Sequence, residues 1–228
     1  MEEKKFVTFK KEELGVREYI KNELGKGRIS SVNIEYTPVG EKIIIGTSKP
    51  GLVIGRRGEK IDELTRTLKK RFHLDNPHIE IREIEEPLLD SQLVADEIAI
   101  LLERKGSLKF KVIAYKMLQE IIKAGAAGTE IVLSGKLPSD RAKTWRFSHG
   151  YLKKVGDPAK VVNVAQAQAT TISGVIGIEV KILHPNAPIH DRIVVDDEML
   201  KKIKSVEEPV EPKEKEKSKT TKKKKGAK

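Results

Sequence analysis

The segment Pro50-Gly51-Leu52-Val53-Ile54-Gly55-Arg56-Arg57-Gly58 brings together the groups needed to hold a phosphodiester chain. Gly55 and Gly58 lack a Cβ, so the backbone can turn sharply between them and a sugar-phosphate strand can come close. Arg56 and Arg57, at the apex of such a turn, point outward toward phosphate oxygens. The first amides of a helix that follows offer unpaired N–H donors and the positive end of a helix dipole. Leu52, Val53 and Ile54 would anchor a preceding helix and line a groove for unstacked bases. Lys49 and Lys60 flank the loop and extend the same positive surface. This chemistry grips single-stranded RNA and makes or breaks no bond.

A second set of basic residues, Lys136, Arg141, Lys143 and Arg146, surrounds Trp145 and Phe147. Basic side chains with interleaved aromatics can pair with phosphate and stack on bases, although Trp145 and Phe147 serve equally as core plugs. Lys153, Lys154 and Lys160 form a further charged run that reads as a solvated face or as an RNA contact. His184, His190 and Asp191 lack the spacing of a zinc site, so no metal or cofactor is expected. No phosphate loop ending in Gly-Lys-Ser or Gly-Lys-Thr, no Gly-x-Ser-x-Gly elbow and no His-Glu-x-x-His motif is present, so no catalytic residue is assigned. A lysine such as Lys136 acting as an amine nucleophile in strand cleavage is the enzymatic alternative.

The charge balance agrees with a polyanionic partner. The chain has 228 residues and a net charge of +11. Residues 213–228 contribute +7 and residues 196–212 contribute −3, which leaves +7 on residues 1–195. The part able to fold is therefore basic in its own right, and clustered Lys and Arg release the counterions condensed on nucleic acid. The absence of cysteine excludes disulfides, thiolate nucleophiles and cysteine-based zinc sites. The charged start Met-Glu-Glu-Lys-Lys and the lack of a long apolar run lead us to expect a cytoplasmic protein without membrane or small-molecule partners.

The elements that must position these groups follow from periodicity. Leu14, Val16, Tyr19, Ile20 and Leu24 predict a helix over 10–24, ended at Gly25. Alternation predicts strands over 29–36 and 41–47, paired as a hairpin through the turn at 38–40. A short helix, the glycine loop, a helix carrying Ile61, Leu64, Leu68 and Phe72, and a strand over 78–84 come next. This order, αββααβ, corresponds to the type II KH fold. Beyond the hinge Glu85-Glu86-Pro87, helices are predicted over 90–103 and 108–123, and strands over 129–134, 161–171 and 175–183. The fold class is α+β throughout: a KH domain over 1–85, a second domain over 86–195 with two helices on a mostly antiparallel sheet, and a charged tail over 196–228. The tail, poor in apolar residues, is expected to be disordered and to touch RNA weakly through Lys213 to Lys228.

The second half carries a more specific signature. Lys123-Ala124-Gly125-Ala126-Ala127-Gly128, Val132-Leu133-Ser134-Gly135-Lys136-Leu137, Arg141-Ala142-Lys143, Gly156-Asp157-Pro158 and Gly174-Val175-Ile176-Gly177-Ile178-Glu179-Val180-Lys181-Ile182 follow one another in order. With the KH motif, they resemble the archaeal and eukaryotic branch of the small-subunit ribosomal protein S3 family over residues from about 8 to 195. The resemblance implies a place in the head of the small subunit. The implied partners are small-subunit rRNA, neighbouring head proteins, and mRNA at the channel where it enters. It also implies that a basic helix of the second domain lines that channel; here the helix offers Lys109, Lys111 and Lys116, with Val112 and Tyr115 where bacterial members carry basic residues. A free KH regulator of messenger is the alternative of a different class.

Overall fold

Glycine and β-branched residues punctuate the first half so regularly that each element falls close to its expected place. The structure, a computed structural model, describes residues 2–38, 40–72, 74 and 76–189. Helix α1 (Glu2–Leu24) leads into strands β1 (Ile29–Thr37) and β2 (Gly40–Thr47), then α2 (Pro50–Ile54), α3 (Glu59–Phe72) and β3 (His78–Glu83). The sheet runs β1-β2-β3, with β1 antiparallel and β3 parallel to β2. One core joins Val16, Ile20 and Leu24 of α1 to Ile43 and Ile45 of β2, Val53 of α2, and Leu64 and Leu68 of α3. This is a KH domain.

Helix α1 departs from expectation in two ways. It begins at Glu2, two turns before residue 10. Leu14 is exposed, and the inward position beside it belongs to Glu13, which is 6% exposed. A carboxylate survives there because Lys10 and Arg17, one turn to either side, both reach it, at 2.6 and 2.5 Å. The hydrogen bond from Lys10, helped by Arg17, holds the Glu13 carboxyl below its usual range against the opposing effect of burial.

The second half builds a separate core. Helices α4 (Ser91–Lys105) and α5 (Phe110–Lys123) pack on a sheet of β4 (Gly128–Gly135), β5 (Lys143–Gly150), β6 (Asn163–Thr171) and β7 (Gly174–Leu183). Its order is β5-β4-β7-β6 and every pairing is antiparallel. The Asp90 side chain caps α4 by accepting from the Gln92 N–H. Inward residues alternate along the strands: Ile131 and Leu133 on β4, then Ile176, Ile178, Val180 and Ile182 on β7. Strand β5 was not anticipated, because Thr144, Arg146 and Ser148 alternate with Trp145 and Phe147, a pattern that reads as a mixed basic and aromatic cluster. As the edge strand, β5 needs only one apolar face, and those two aromatics supply it.

The loop Gly25-Lys26-Gly27 ties the halves together. The Gly27 N–H donates to Asp96 Oδ2 at 2.9 Å, and the Gln92 amide donates to the other oxygen at 3.2 Å. The Lys26 ammonium donates to Glu103 Oε1 at 3.1 Å and to the Gln168 carbonyl at 3.0 Å, while the Thr170 N–H reaches the same Glu103 oxygen at 3.0 Å. The two carboxyls respond to pH with opposite sign. The hydrogen bond from the Thr170 N–H, then Lys26, depresses Glu103, so its stabilisation is present above the ordinary glutamate value of about 4.3 and is lost as pH falls through the depressed value. Burial raises Asp96, so its contribution favours the fold while protonated and fades as pH rises through the raised value. Glu103→Gln is therefore expected to cost on the order of 1 kcal/mol near neutral pH. That cost should disappear in acid, whereas Asp96→Asn, which keeps an acceptor for Gly27, should be nearly neutral at pH 7. Urea midpoints across the acid range test both; equal losses at every pH for Glu103→Gln would refute this account.

Candidate nucleic-acid interface

The chain must reverse from α2 into α3 within four residues, and it does so by placing three of them at positive φ. Gly55 ends α2 at φ 74° and ψ −171°, its N–H donating to the Gly51 carbonyl at 3.1 Å. Arg57 lies at φ 51° and ψ 23°, the one non-glycine residue with positive φ among the described residues, and Gly58 follows at φ 82°. A left-handed arginine costs about 1–2 kcal/mol, a strain tolerated where the side chain has a use that the turn alone does not require. Both Arg56 and Arg57 are exposed at the apex.

Beneath them, Val53 is fully buried while Leu52 and Ile54 remain partly open, so one apolar residue anchors the short helix and two border the groove. Lys49 is exposed at the start of α2, with its N–H held by Thr47 Oγ1 at 3.1 Å. Lys60 is exposed on α3, and its stem lies across Gly55: a Cβ added there would sit 2.9 Å from Lys60 Cγ. An open trough of about 970 Å³ runs from Arg56 and Arg57 along α3 past Arg66 and Lys70, with Glu59, Asp62 and Glu63 also on its wall. The carboxylates of the first turn of α3 favour the helix dipole and restrict strong anion attraction to the arginine end.

Gly55→Ala is expected to weaken RNA binding more than Gly58→Ala. The first change meets both the extended positive-φ backbone and Lys60, whereas a Cβ at position 58 has nothing within 4 Å and costs only about 1–2 kcal/mol of backbone strain. Filter binding of the two variants to the same RNA oligonucleotide checks the order, and an equal loss would contradict it.

The basic residues of the second half do not form one patch. Lys136, Arg141 and Lys143 are exposed around the loop joining β4 to β5, where Lys143 stands opposite Gly135. Arg146 lies on the sheet face opposite Trp145, and its Nε donates to Glu130 at 2.9 Å; Lys154 reaches the same carboxylate oxygen at 2.8 Å. Glu130, buried at 2%, is the residue that sequence reasoning missed. A lone acid inside the apolar strand over 129–134 was its only signal.

Lys109, Lys111 and Lys116 are exposed at the start and along the outer side of α5. Lys111 lies 4.5 Å from the Trp145 ring centroid, and Lys116 pairs with Glu120 at 3.6 Å. Trp145 packs on Phe110 with ring centroids 5.4 Å apart and donates its indole N–H to the Leu137 carbonyl at 3.4 Å, so its ring plugs the core. His184 faces Glu86 at 3.7 Å; His190, Asp191 and the lysine-rich tail lie outside the described residues.

Comparison with known proteins agrees with both halves. A family model described as KH domain matches residues 15–89, and one described as ribosomal protein S3, C-terminal domain, matches residues 98–182. Small ribosomal subunit protein uS3 of Methanocaldococcus jannaschii is 42% identical over 199 residues, covering 87% of this chain and 95% of that protein. The uS3 proteins of Methanococcus maripaludis and Methanosphaera stadtmanae are 35% and 36% identical over 209 and 211 residues. Those matches cover 91% and 92% of this chain, and 98% and 82% of the respective relatives.

Proposed function

The chain belongs to the small ribosomal subunit protein uS3 family, and from this we propose that it is a structural constituent of the small subunit that binds rRNA in the head. The observation that carries the proposal is the turn at Gly55 to Gly58: two exposed arginines, one held at positive φ, between two short-range helices. A strained, outward-facing pair of guanidinium groups has little role in packing and matches the spacing of adjacent phosphates on a single strand. Within this reading, residues 1–85 act as the RNA-gripping KH domain and residues 86–195 as a second ribosomal domain.

The finer parts of the reading rest on the family and on charge. Lys109, Lys111 and Lys116 on α5 face mRNA at the channel where it enters the subunit, and Lys136, Arg141 and Lys143 face rRNA. Neighbouring head proteins complete the surroundings. The protein works in the cytoplasm on the ribosome, as a binding protein without a catalytic centre. Among the described residues, no helix is long and apolar enough to cross a membrane.

Sedimentation of native extract at low and high salt, with the protein followed across the gradient, tests the proposal. It is expected to remain with small subunits after a high-salt wash, because many simultaneous contacts within a folded particle outlast the screening that releases a lone RNA-binding domain. Recovery at the top of the gradient would instead identify a free regulator of messenger.

A further inference from the structure

The inward stripe of α1 runs past the end of its sheet. Leu24, Ile20, Val16 and Glu13 are buried against the KH core, but the next positions on the same stripe, Phe9 and Phe6, are 39% and 63% exposed. A stripe at helical spacing is built to be covered. Phe9 finds only Tyr36, near the end of β1, with ring centroids 4.6 Å apart, and Phe6 has Lys10 alone near its ring. Tyr36 is itself 46% exposed, and β1 is an edge strand.

The charge around these rings selects the kind of molecule that covers them. Glu12, Glu13 and Glu41 all act on the Tyr36 hydroxyl, whose pKa is raised first by burial and then by those three carboxylates. Glu41 stands opposite Tyr36 in the β1–β2 register, and one of its carboxylate oxygens is buried without a hydrogen-bond partner. Glu35, exposed on the same edge strand, adds a further negative charge. A phosphate backbone is repelled by such a rim, whereas a cation is drawn to it. This corner therefore differs in sign from the arginine turn at the other end of the domain.

We propose that Phe6, Phe9 and Tyr36 form a docking surface for a basic protein segment of a neighbouring subunit component, which buries an apolar side chain against the rings and presents Lys or Arg to Glu12 and Glu41. The inference rests on the ribosomal reading above and adds the face by which the chain meets its protein neighbour. Aromatic anchors surrounded by charge are the usual composition of such contacts.

The test uses the full chain carrying Phe6→p-benzoylphenylalanine, assembled into small subunits, irradiated and analysed by mass spectrometry. Phe6 is exposed, so the replacement leaves the core intact. The expected product is a crosslink to a Lys- or Arg-rich stretch of another small-subunit protein. Adding Glu12→Lys should lower its yield roughly fivefold, the effect of about 1 kcal/mol at a charged rim. Crosslinks to rRNA or to a second copy of this chain, no crosslink from assembled subunits, or a yield unchanged by Glu12→Lys would each overturn the proposal. Absence of the unsubstituted chain from small subunits would overturn the ribosomal reading beneath it instead.

Discussion

Changing Arg56 and Arg57 together to Asp should weaken binding of the full chain to single-stranded RNA about a hundredfold or more at moderate salt. Each guanidinium-phosphate contact contributes about 1.5–3 kcal/mol, and reversed charge adds repulsion to the loss. The fold should survive the change. Position 56 is exposed, and Asp accepts the left-handed backbone at position 57 more readily than most residues. Salt dependence gives an independent reading: removing two phosphate contacts should flatten the slope of log affinity against log salt by about 1.4. Fluorescence anisotropy at several salt concentrations measures both quantities, and an unchanged slope would show that the arginines do not meet phosphate. In cells, failure of the variant to join small subunits would mean that the loop faces rRNA. Intact subunits with altered initiation would mean that it faces messenger, and normal behaviour in both respects would remove the loop from RNA recognition.

Phe110→Ala is expected to cost about 3–5 kcal/mol, the range for removing a fully buried aromatic ring. Phe110 is 1% exposed at the first turn of α5, where it packs on Trp145 of β5 while Lys111 lies over the other ring. Its loss leaves a void between a helix and an edge strand that have few other shared anchors. For a domain of this size the thermal midpoint should fall by roughly 10 °C. Trp145 is the only tryptophan in the chain, so its fluorescence reports on that junction directly. A shift of only a degree or two would mean that α5 and β5 are held together by something other than these rings. The arginine turn belongs to the other core and should keep its RNA affinity below the new midpoint.

Much of the architecture was legible because local patterns and tertiary roles coincide there. The alternation over 29–36 and 41–47, the glycines around Arg56 and Arg57, and the apolar spacing of α3, α4 and α5 each describe a face that the fold then buries. Legibility fails where a residue's role depends on a partner far along the chain. Arg146 sits among basic residues in sequence, yet its position is set by Glu130, sixteen residues earlier and buried on the neighbouring strand. Strand β5 hid for a related reason, since an edge strand with one wet face looks like a polar cluster with two aromatics. Helix α1 was cut short because Phe6 and Phe9 continue its stripe beyond any surface of this chain that could cover them. The contacts of Lys26, spanning 77 and 142 residues, leave no trace in local composition.

Those Lys26 contacts have a consequence for the chain before it is assembled. Strand β6 is the outer strand of the second sheet, and its outward backbone groups would otherwise invite a strand from another molecule. The Gln168 carbonyl is already taken by Lys26 and the Thr170 N–H by Glu103, side chains belonging to the loop and helix beside it. The edge is thus closed by the protein's own side chains at two successive outward positions. A newly made copy awaiting its RNA is in this way kept from adding strand to strand with its siblings, and the junction of the two halves serves as a guard against aggregation.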